Sequence, residues 1–188
     1  DALIALFALG LSVEKGELSA ATYDAVAPLL AEDMTARCMV APVGALRDAG
    51  EDFYVVTDWP PEKRLITDEE PCMYLGPDSL ALADVASSLS AGKRVADVCA
   101  GSGIQGLVAT RAGASSITWV EAEARAAAFC RLNGALNCVE GDVVVDRVNN
   151  VEDGTYDVIL ANPPYVATPP SSSYEAFAAG GPDGYDVL

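Results

Sequence analysis

Four positions in the second half of this chain carry residue types that do chemistry at the rim of a nucleotide site, and each comes at the end of a β-branched or apolar run. The stretch "DVCAGSGIQG", Asp97 to Gly106, holds glycines at 101, 103 and 106; Glu121 closes "ITWVEA", Asp142 follows in "EGD", and Asn162 closes "DVILAN". They recur about 20 residues apart, once per strand and helix, and in an open parallel sheet such positions share the carboxyl edge, where ligands bind. Glycines at 101 and 103, beside the small residues Ala100 and Ser102, let a backbone close on a ligand, and the helix that follows presents free N–H groups to an anion. A carboxylate at 121 can accept both hydroxyls of a ribose.

The G-x-G-x-x-G spacing is the one quoted for dinucleotides, but the glycines and Glu121 would serve an adenosyl cofactor equally well. Asp97 separates the two. A carboxylate four residues before Gly101 repels a pyrophosphate, whereas an amino-acid moiety with a free ammonium group is attracted, directly or through water. That favours S-adenosyl-L-methionine over NAD; the alternative for Asp97 is a carboxylate capping the amides of its own loop.

Longer motifs then carry a resemblance. "VADVCAGSG" resembles the D-x-G-x-G-x-G motif of class I S-adenosylmethionine-dependent methyltransferases, with Cys99 where the first glycine stands. Asn162-Pro163-Pro164-Tyr165 resembles the motif of amino-group methyltransferases, the group of release-factor glutamine methyltransferases, base methyltransferases and the methyltransferase small domain. "YEAFAAGGPDGYDVL" is similar to the segment that follows this motif in the glutamine branch, and "YLGPDSLAL" to the one that helps cover the methionine end of the cofactor. An N-capped helix start, with Asp78 or Ser79 as the cap, explains the latter segment equally well. The resemblance covers about Tyr74 to Leu188. It implies a cofactor site of Asp97, Ala100, Gly101, Ser102, Gly103, Glu121, Asp142 and Asn162, with Asp142 accepting from the adenine amino group or else merely holding a turn, and a catalytic set of Asn162, Pro163, Pro164 and Tyr165.

The chemistry suits those residue types. Methyl transfer from a sulfonium is an in-line displacement, so the protein mainly has to position a nitrogen lone pair. Amide and aromatic amino nitrogens are poor nucleophiles because that pair is delocalised. Two acceptors on the NH₂ hydrogens, the Asn162 side-chain oxygen and the Pro163 carbonyl, favour a pyramidal nitrogen and stabilise its developing charge. Prolines at 163 and 164 fix φ and keep Asn162 extended. Tyr165 offers a flat face for a planar amide or base.

Composition excludes other classes. Across 188 residues there is no histidine, which removes Ser-His-Asp and Cys-His nucleophile pairs. Five cysteines, odd in number and without a C-x-x-C pair, argue against disulfide frameworks and metal sites. A formal charge of −17 disfavours indiscriminate binding to phosphate backbones. The longest apolar run, Ala2 to Leu11, is too short for a membrane span and lacks the basic start of a signal peptide, so a cytoplasmic protein without membrane partners is expected.

The elements that must position these residues read as a Rossmann-like, doubly wound α/β sheet over residues 71–188: a helix at Ser79–Leu89, strands at Arg94–Ala100 and Ile117–Ala122, helices at Ile104 to about Ala112 and Arg125–Leu136, a third strand near Cys138–Glu140 and a fourth at Tyr156–Ala161. Only 23 residues follow Tyr165, fewer than the resemblance requires for its final strands, so the domain is expected to be truncated and its fourth strand unpaired. Residues 1–70 form an accessory region, helical or winged-helix-like, with helical periodicity at Ala2–Leu11 and Ala20–Met34 and a strand in "DFYVVTDW". The leading expectation is an N-methyltransferase acting on a protein glutamine, with a translation factor or ribosomal protein as partner. The alternatives are an RNA or DNA base methyltransferase, a non-catalytic methyltransferase-like subunit and, supported only by the glycines and Glu121, an NAD-dependent oxidoreductase.

Overall fold

The computed structural model of the chain describes residues 2–34, 36–43, 53–60, 71–148, 155–170 and 174–187. Its elements are helices α1 (Ala2–Phe7) and α2 (Ala20–Val26), strands β1 (Met39–Val43) and β2 (Phe53–Thr57), then α3 (Pro77–Leu89), β3 (Arg94–Val98), α4 (Ile104–Arg111), β4 (Ser116–Glu121), α5 (Ala124–Leu136), β5 (Asp142–Val145) and β6 (Val158–Ala161). Strands β3 to β6 form one parallel sheet in the order β5-β4-β3-β6. The chain therefore winds outward from β3 through β4 to β5 and returns to the other side of β3. That reversal between β3 and β6 is the point at which open α/β sheets bind ligands.

Trp119 on β4 is the largest fully buried side chain among the described residues, and it dictates glycines around it. A Cβ at Gly106 would lie 2.3 Å from its Nε1, and one at Gly141 would lie 2.7 Å from its ring and 2.5 Å from Ile117. The Trp119 indole N–H donates to the Gly103 carbonyl at 3.1 Å, so the residue that fills the core also holds the glycine loop. At the opposite end of the sheet, Arg94 pairs with Asp157 through its backbone N–H and its guanidinium, which keeps the Asp157 carboxyl down at about 2 and fastens β3 to β6.

The first third of the chain packs onto this sheet unit through α5. β1 and β2 pair antiparallel, and two asparagines one turn apart, Asn133 on α5 and Asn137 just past its end, pair with the backbone of β2. Asn133 accepts from Val56 N–H at 2.7 Å and donates to Val56 C=O at 2.8 Å; Asn137 does the same with Tyr54, at 3.0 and 2.7 Å. Strand-like pairing is thus supplied by helix side chains. Asp58, 2% exposed, adds a two-pronged pair with Arg125 of α5 and accepts the Cys72 N–H. Val43 and Val55 belong to the same apolar cluster as the sheet.

Several expected boundaries shift for identifiable reasons. The first helix ends at Phe7 rather than Leu11, where Gly10, at φ +66, turns against Trp59. The second stops at Val26 and passes into a 3₁₀ turn at Ala27–Leu29, because Pro28 lacks the N–H that would continue it. The third strand lies at Asp142–Val145, not near Cys138–Glu140. Cys138 is left-handed at φ 54 and terminates α5, and the chain reaches the sheet only after Gly141 slips beneath Ile117 and Trp119. The proposed division at residue 70 borders residues 61–70, which lie outside the described residues, as does Asp52 of "DFYVVTDW". β6 forms an edge of the sheet, with Ile159 61% exposed. Among the described residues no helix is long and apolar enough to cross a membrane.

Candidate functional site

The carboxyl edge of the sheet opens into a cavity of about 320 Å³ lined by Cys99, Ala100, Gly101, Ser102, Glu121, Asp146 and Asn162, among others. Its size falls at the lower end of those that hold drug-sized ligands. Each of these seven residues is placed by the end of a strand or the loop that leaves it. After β3 the backbone turns through left-handed Cys99 (φ 55), Gly101 (φ 56) and Gly103 (φ 79) before α4 begins. A Cβ at Gly101 would meet nothing within 4 Å, so this backbone faces open space, whereas one at Gly103 would lie 2.9 Å from Trp119 Nε1. Gly103 is therefore a packing position and helix cap, not part of the cavity wall.

Glu121 closes β4 and ties the loop in place. One carboxylate oxygen accepts from Gly101 N–H at 2.8 Å and the other from Glu123 N–H at 2.9 Å. Each oxygen keeps a further lone pair for a hydroxyl in the cavity.

Asp97 is not among the residues that line the cavity. It is 1% exposed and accepts the Gly106 N–H at 2.9 Å, satisfying an amide in the first turn of α4. Burial pushes its carboxyl well above the ordinary carboxylate value, against the pull of the Gly106 amide, and the nearby Glu121 adds to the rise. Of the two readings of Asp97, the capping one has its hydrogen bond in the structure.

Asp142 is displaced as well. In register with Thr118 at the start of β5, it is exposed on the side of the sheet away from the glycine loop. The acid at the carboxyl edge of this strand is Asp146, directly after Val145, which pairs with Glu121; Asp146, Arg147 and Val148 all line the cavity. Sequence reading missed Asp146 by choosing the wrong apolar run in "CVEGDVVVD", where each run is followed by an acid.

Asn162 follows β6 and lines the cavity beside Pro164. Its Nδ2 donates to Asp78 at the start of α3, at 3.0 Å, which leaves Oδ1 as its remaining acceptor. Pro163 and Tyr165 are not part of the cavity wall; Tyr165, 59% exposed, stands on the surface beyond it. The segment after residue 174 folds back on this strand end: Val166 N–H donates to Ala178 C=O, Gly180 N–H to Val166 C=O, and Thr168 N–H to Gly181 C=O. Gly180 and Gly184 permit the approach, since a Cβ on either would come within 3 Å of the Pro164-Tyr165 backbone. Phe177 and Asp186 thereby reach the cavity, residues that sequence reading did not assign.

The residues present fit an adenosyl cofactor: an open glycine backbone, an anchored carboxylate one strand over and a second acid beyond it follow the length of a nucleoside along the rim. Among the described residues no cluster of His, Cys, Asp and Glu could hold a metal ion.

The family described as "Methyltransferase small domain" matches residues 78–177. A ribosomal protein L11 methyltransferase from Cupriavidus pinatubonensis (strain JMP 134 / LMG 1197) is 29% identical over 121 residues, 60% of this chain and 40% of that protein. A tRNA1(Val) (adenine(37)-N6)-methyltransferase from Shewanella sp. (strain MR-4) is 37% identical over 92 residues, 45% of this chain and 39% of that protein. The chain thus spans about 40% of the length of these curated relatives. Among solved structures, the T. thermophilus 16S rRNA N2 G1207 methyltransferase in complex with AdoMet and guanosine superposes with a TM-score of 0.53 at 18% identity, covering 72% of this chain and 35% of that one.

Proposed function

Since the chain belongs to the methyltransferase small domain family, we propose that it binds S-adenosyl-L-methionine and directs methyl transfer to a planar amide or amino nitrogen, with a protein glutamine as the acceptor. The observation that carries this reading is the convergence of the Gly101 loop, Glu121 and Asn162 on one cavity at the switch between β3 and β6. With Asp97 engaged by Gly106, the preference for this cofactor over a dinucleotide rests on family membership.

In this reading Gly101 and its neighbours hold the amino-acid end of the cofactor, Glu121 accepts the ribose hydroxyls, and Asp146 takes the position toward the adenine that had been expected of Asp142. The cofactor supplies an electrophilic methyl group. Asn162 Oδ1 accepts one hydrogen of the acceptor NH₂ at the cavity wall, and the reading requires the other to reach the Pro163 carbonyl just outside that wall; together they favour a lone pair directed at that methyl. Pro163 and Pro164 hold these acceptors in place beforehand, so little reorganisation accompanies transfer. No side-chain base is required, because the methylated nitrogen can release its proton to water.

The choice of a protein acceptor is supported by charge. The chain carries −17, and Glu121, Glu123, Asp146 and Asp186 all line the cavity with Arg147 as their only basic companion there among the described residues. A phosphate backbone approaching this rim meets like charge, and a basic polypeptide does not. The named relatives include a methyltransferase of each kind, one for a ribosomal protein and one for a tRNA adenine.

Two measurements test the proposal. Calorimetry should show S-adenosylhomocysteine binding and no NADH binding; the reverse would replace the reading with an oxidoreductase. Labelled cofactor added to cell fractions should leave counts that protease treatment abolishes and nuclease treatment spares. Counts removed by nuclease alone would shift the acceptor to a nucleobase, for which the exposed face of Tyr165 offers stacking.

A further inference from the structure

We propose that Asp78 is a positioning residue for Asn162, setting which edge of the Asn162 amide faces the methyl acceptor; the inference rests on the methyl-transfer reading above. The two residues are 84 positions apart in sequence, one in the first turn of α3 and one after β6, and they meet through a single hydrogen bond from Asn162 Nδ2 to Asp78 Oδ2 at 3.0 Å. Asn162 lines the cavity and Asp78 does not, so Asp78 can act there only through Asn162.

The chemistry of the pair removes an ambiguity that an asparagine by itself would have. An amide presents a donor edge and an acceptor edge that interchange by rotation about its last torsion. Presented donor first, Asn162 would oppose the hydrogens of an acceptor NH₂. An ionised carboxylate has no hydrogen to offer, so it can face only the Nδ2 edge, and that orientation turns Oδ1 away from Asp78. A carboxylate drawing on the N–H also polarises the amide and strengthens its oxygen as an acceptor.

A second feature is built around the same contact. Gly76 precedes α3, and a Cβ on it would lie 2.4 Å from Asp78 Oδ1 and 3.2 Å from Met73 Cε. A side chain at 76 would therefore force the Asp78 carboxylate out of the place from which it reaches Asn162. Pro77, between them, sets the helical φ of the first position of α3.

The test uses the full chain with Asp78→Asn and Asp78→Leu. An asparagine at 78 can still turn its own amide oxygen to Asn162 Nδ2, whereas leucine cannot. Three readouts are needed: S-adenosylhomocysteine affinity, kcat for labelled methyl transfer to the acceptor fraction, and the side-chain amide signals of Asn162 in a ¹⁵N spectrum. For Asp78→Leu we expect affinity within about two-fold of wild type, kcat lower by about 10- to 100-fold, and loss of the shifted, slowly exchanging amide proton. Asp78→Asn should retain that proton and recover kcat to within about five-fold of wild type. Unchanged kcat in Asp78→Leu, or Asn162 amide signals insensitive to both substitutions, overturns the positioning role alone. Failure of the wild type to bind S-adenosylhomocysteine overturns the methyl-transfer reading and takes the role with it.

Discussion

The Asp97 carboxylate, buried inside β3, caps α4 by accepting the N–H of Gly106 nine residues later. A strand residue thus satisfies an amide that the N-terminal cap of α4, Gly103, has no side chain to reach. The arrangement brings a carboxyl group into an apolar interior, and its consequence is a dependence of stability on pH.

Burial raises the Asp97 carboxyl in the folded state above its unfolded value of about 4. The unfolded chain therefore loses this proton first as pH rises. Stability contributed by the protonated group is fully present below about pH 4 and is lost as pH climbs toward the folded-state value. Asp97→Asn, which keeps an oxygen for Gly106, should lack that slope and differ from wild type by an offset independent of pH. Urea denaturation between about pH 4 and pH 8 should show wild type losing ground to the variant, by at most about 1.4 kcal/mol per pH unit. A difference that moves the other way would refute the assignment.

Cys99 stands where a glycine is expected, and its φ of 55 shows the loop closing through it regardless. A non-glycine residue in that conformation costs about 1–2 kcal/mol, partly offset on replacement by the greater freedom of glycine in the unfolded chain. Cys99→Gly should leave stability unchanged or raise it by about 1 kcal/mol, with S-adenosylhomocysteine affinity retained. Cys99→Val, with branching at Cβ, should lose about 1–2 kcal/mol. Thermal melts that rank valine above glycine would contradict this geometry.

The cysteines should also differ in reactivity. Burial, then Glu121 and Asp97, push the Cys99 thiol up to about 11, although it lines the cavity. Thiolate is the reacting form, so little is available near neutrality. Burial likewise raises Cys38, Cys72 and Cys130, whereas Cys138 is exposed. Peptide mapping after brief alkylation at about pH 8 should find Cys138 modified first; equal labelling of Cys99 would mean that its site is wetter and less acidic than described.

What the sequence made legible follows from distance along the chain. Gly101, Glu121 and Asn162 each sit at or just past the end of a strong strand pattern, so local periodicity places all three on one edge. Asp142 failed because two apolar runs compete, and the winner is decided by Ile117 and Trp119 pressing on Gly141 from another strand. The direction of Asp97 depends on which face of β3 its side chain takes, and the composition around it does not encode that. Asp78 was read as a possible helix cap, and its partner lies 84 residues away. One available signal went unused. Ala126, Cys130, Asn133 and the C-cap Asn137 share one face of α5 and its end, and two asparagines on an otherwise apolar stripe announce a polar partner.

That partner is the backbone of β2, and Asn133 should be the more important of the two contacts. It is fully buried and makes three hydrogen bonds, two with Val56 and one to the Ser102 carbonyl of the glycine loop, at 2.8 Å. Asn133→Ala strands three backbone groups where water does not reach, at a cost of roughly 3 kcal/mol or more. Asn137 pairs with Tyr54, which is 51% exposed, so solvent can replace much of what Asn137→Ala removes, and a loss of about 1 kcal/mol is expected. Amide exchange at Val56 should accelerate in the first variant and at Tyr54 in the second. Because only Asn133 also holds the Ser102 carbonyl, only its replacement should weaken S-adenosylhomocysteine binding in calorimetry. Equal effects of the two substitutions on both stability and affinity would show that the hairpin and the glycine loop are not joined through this residue.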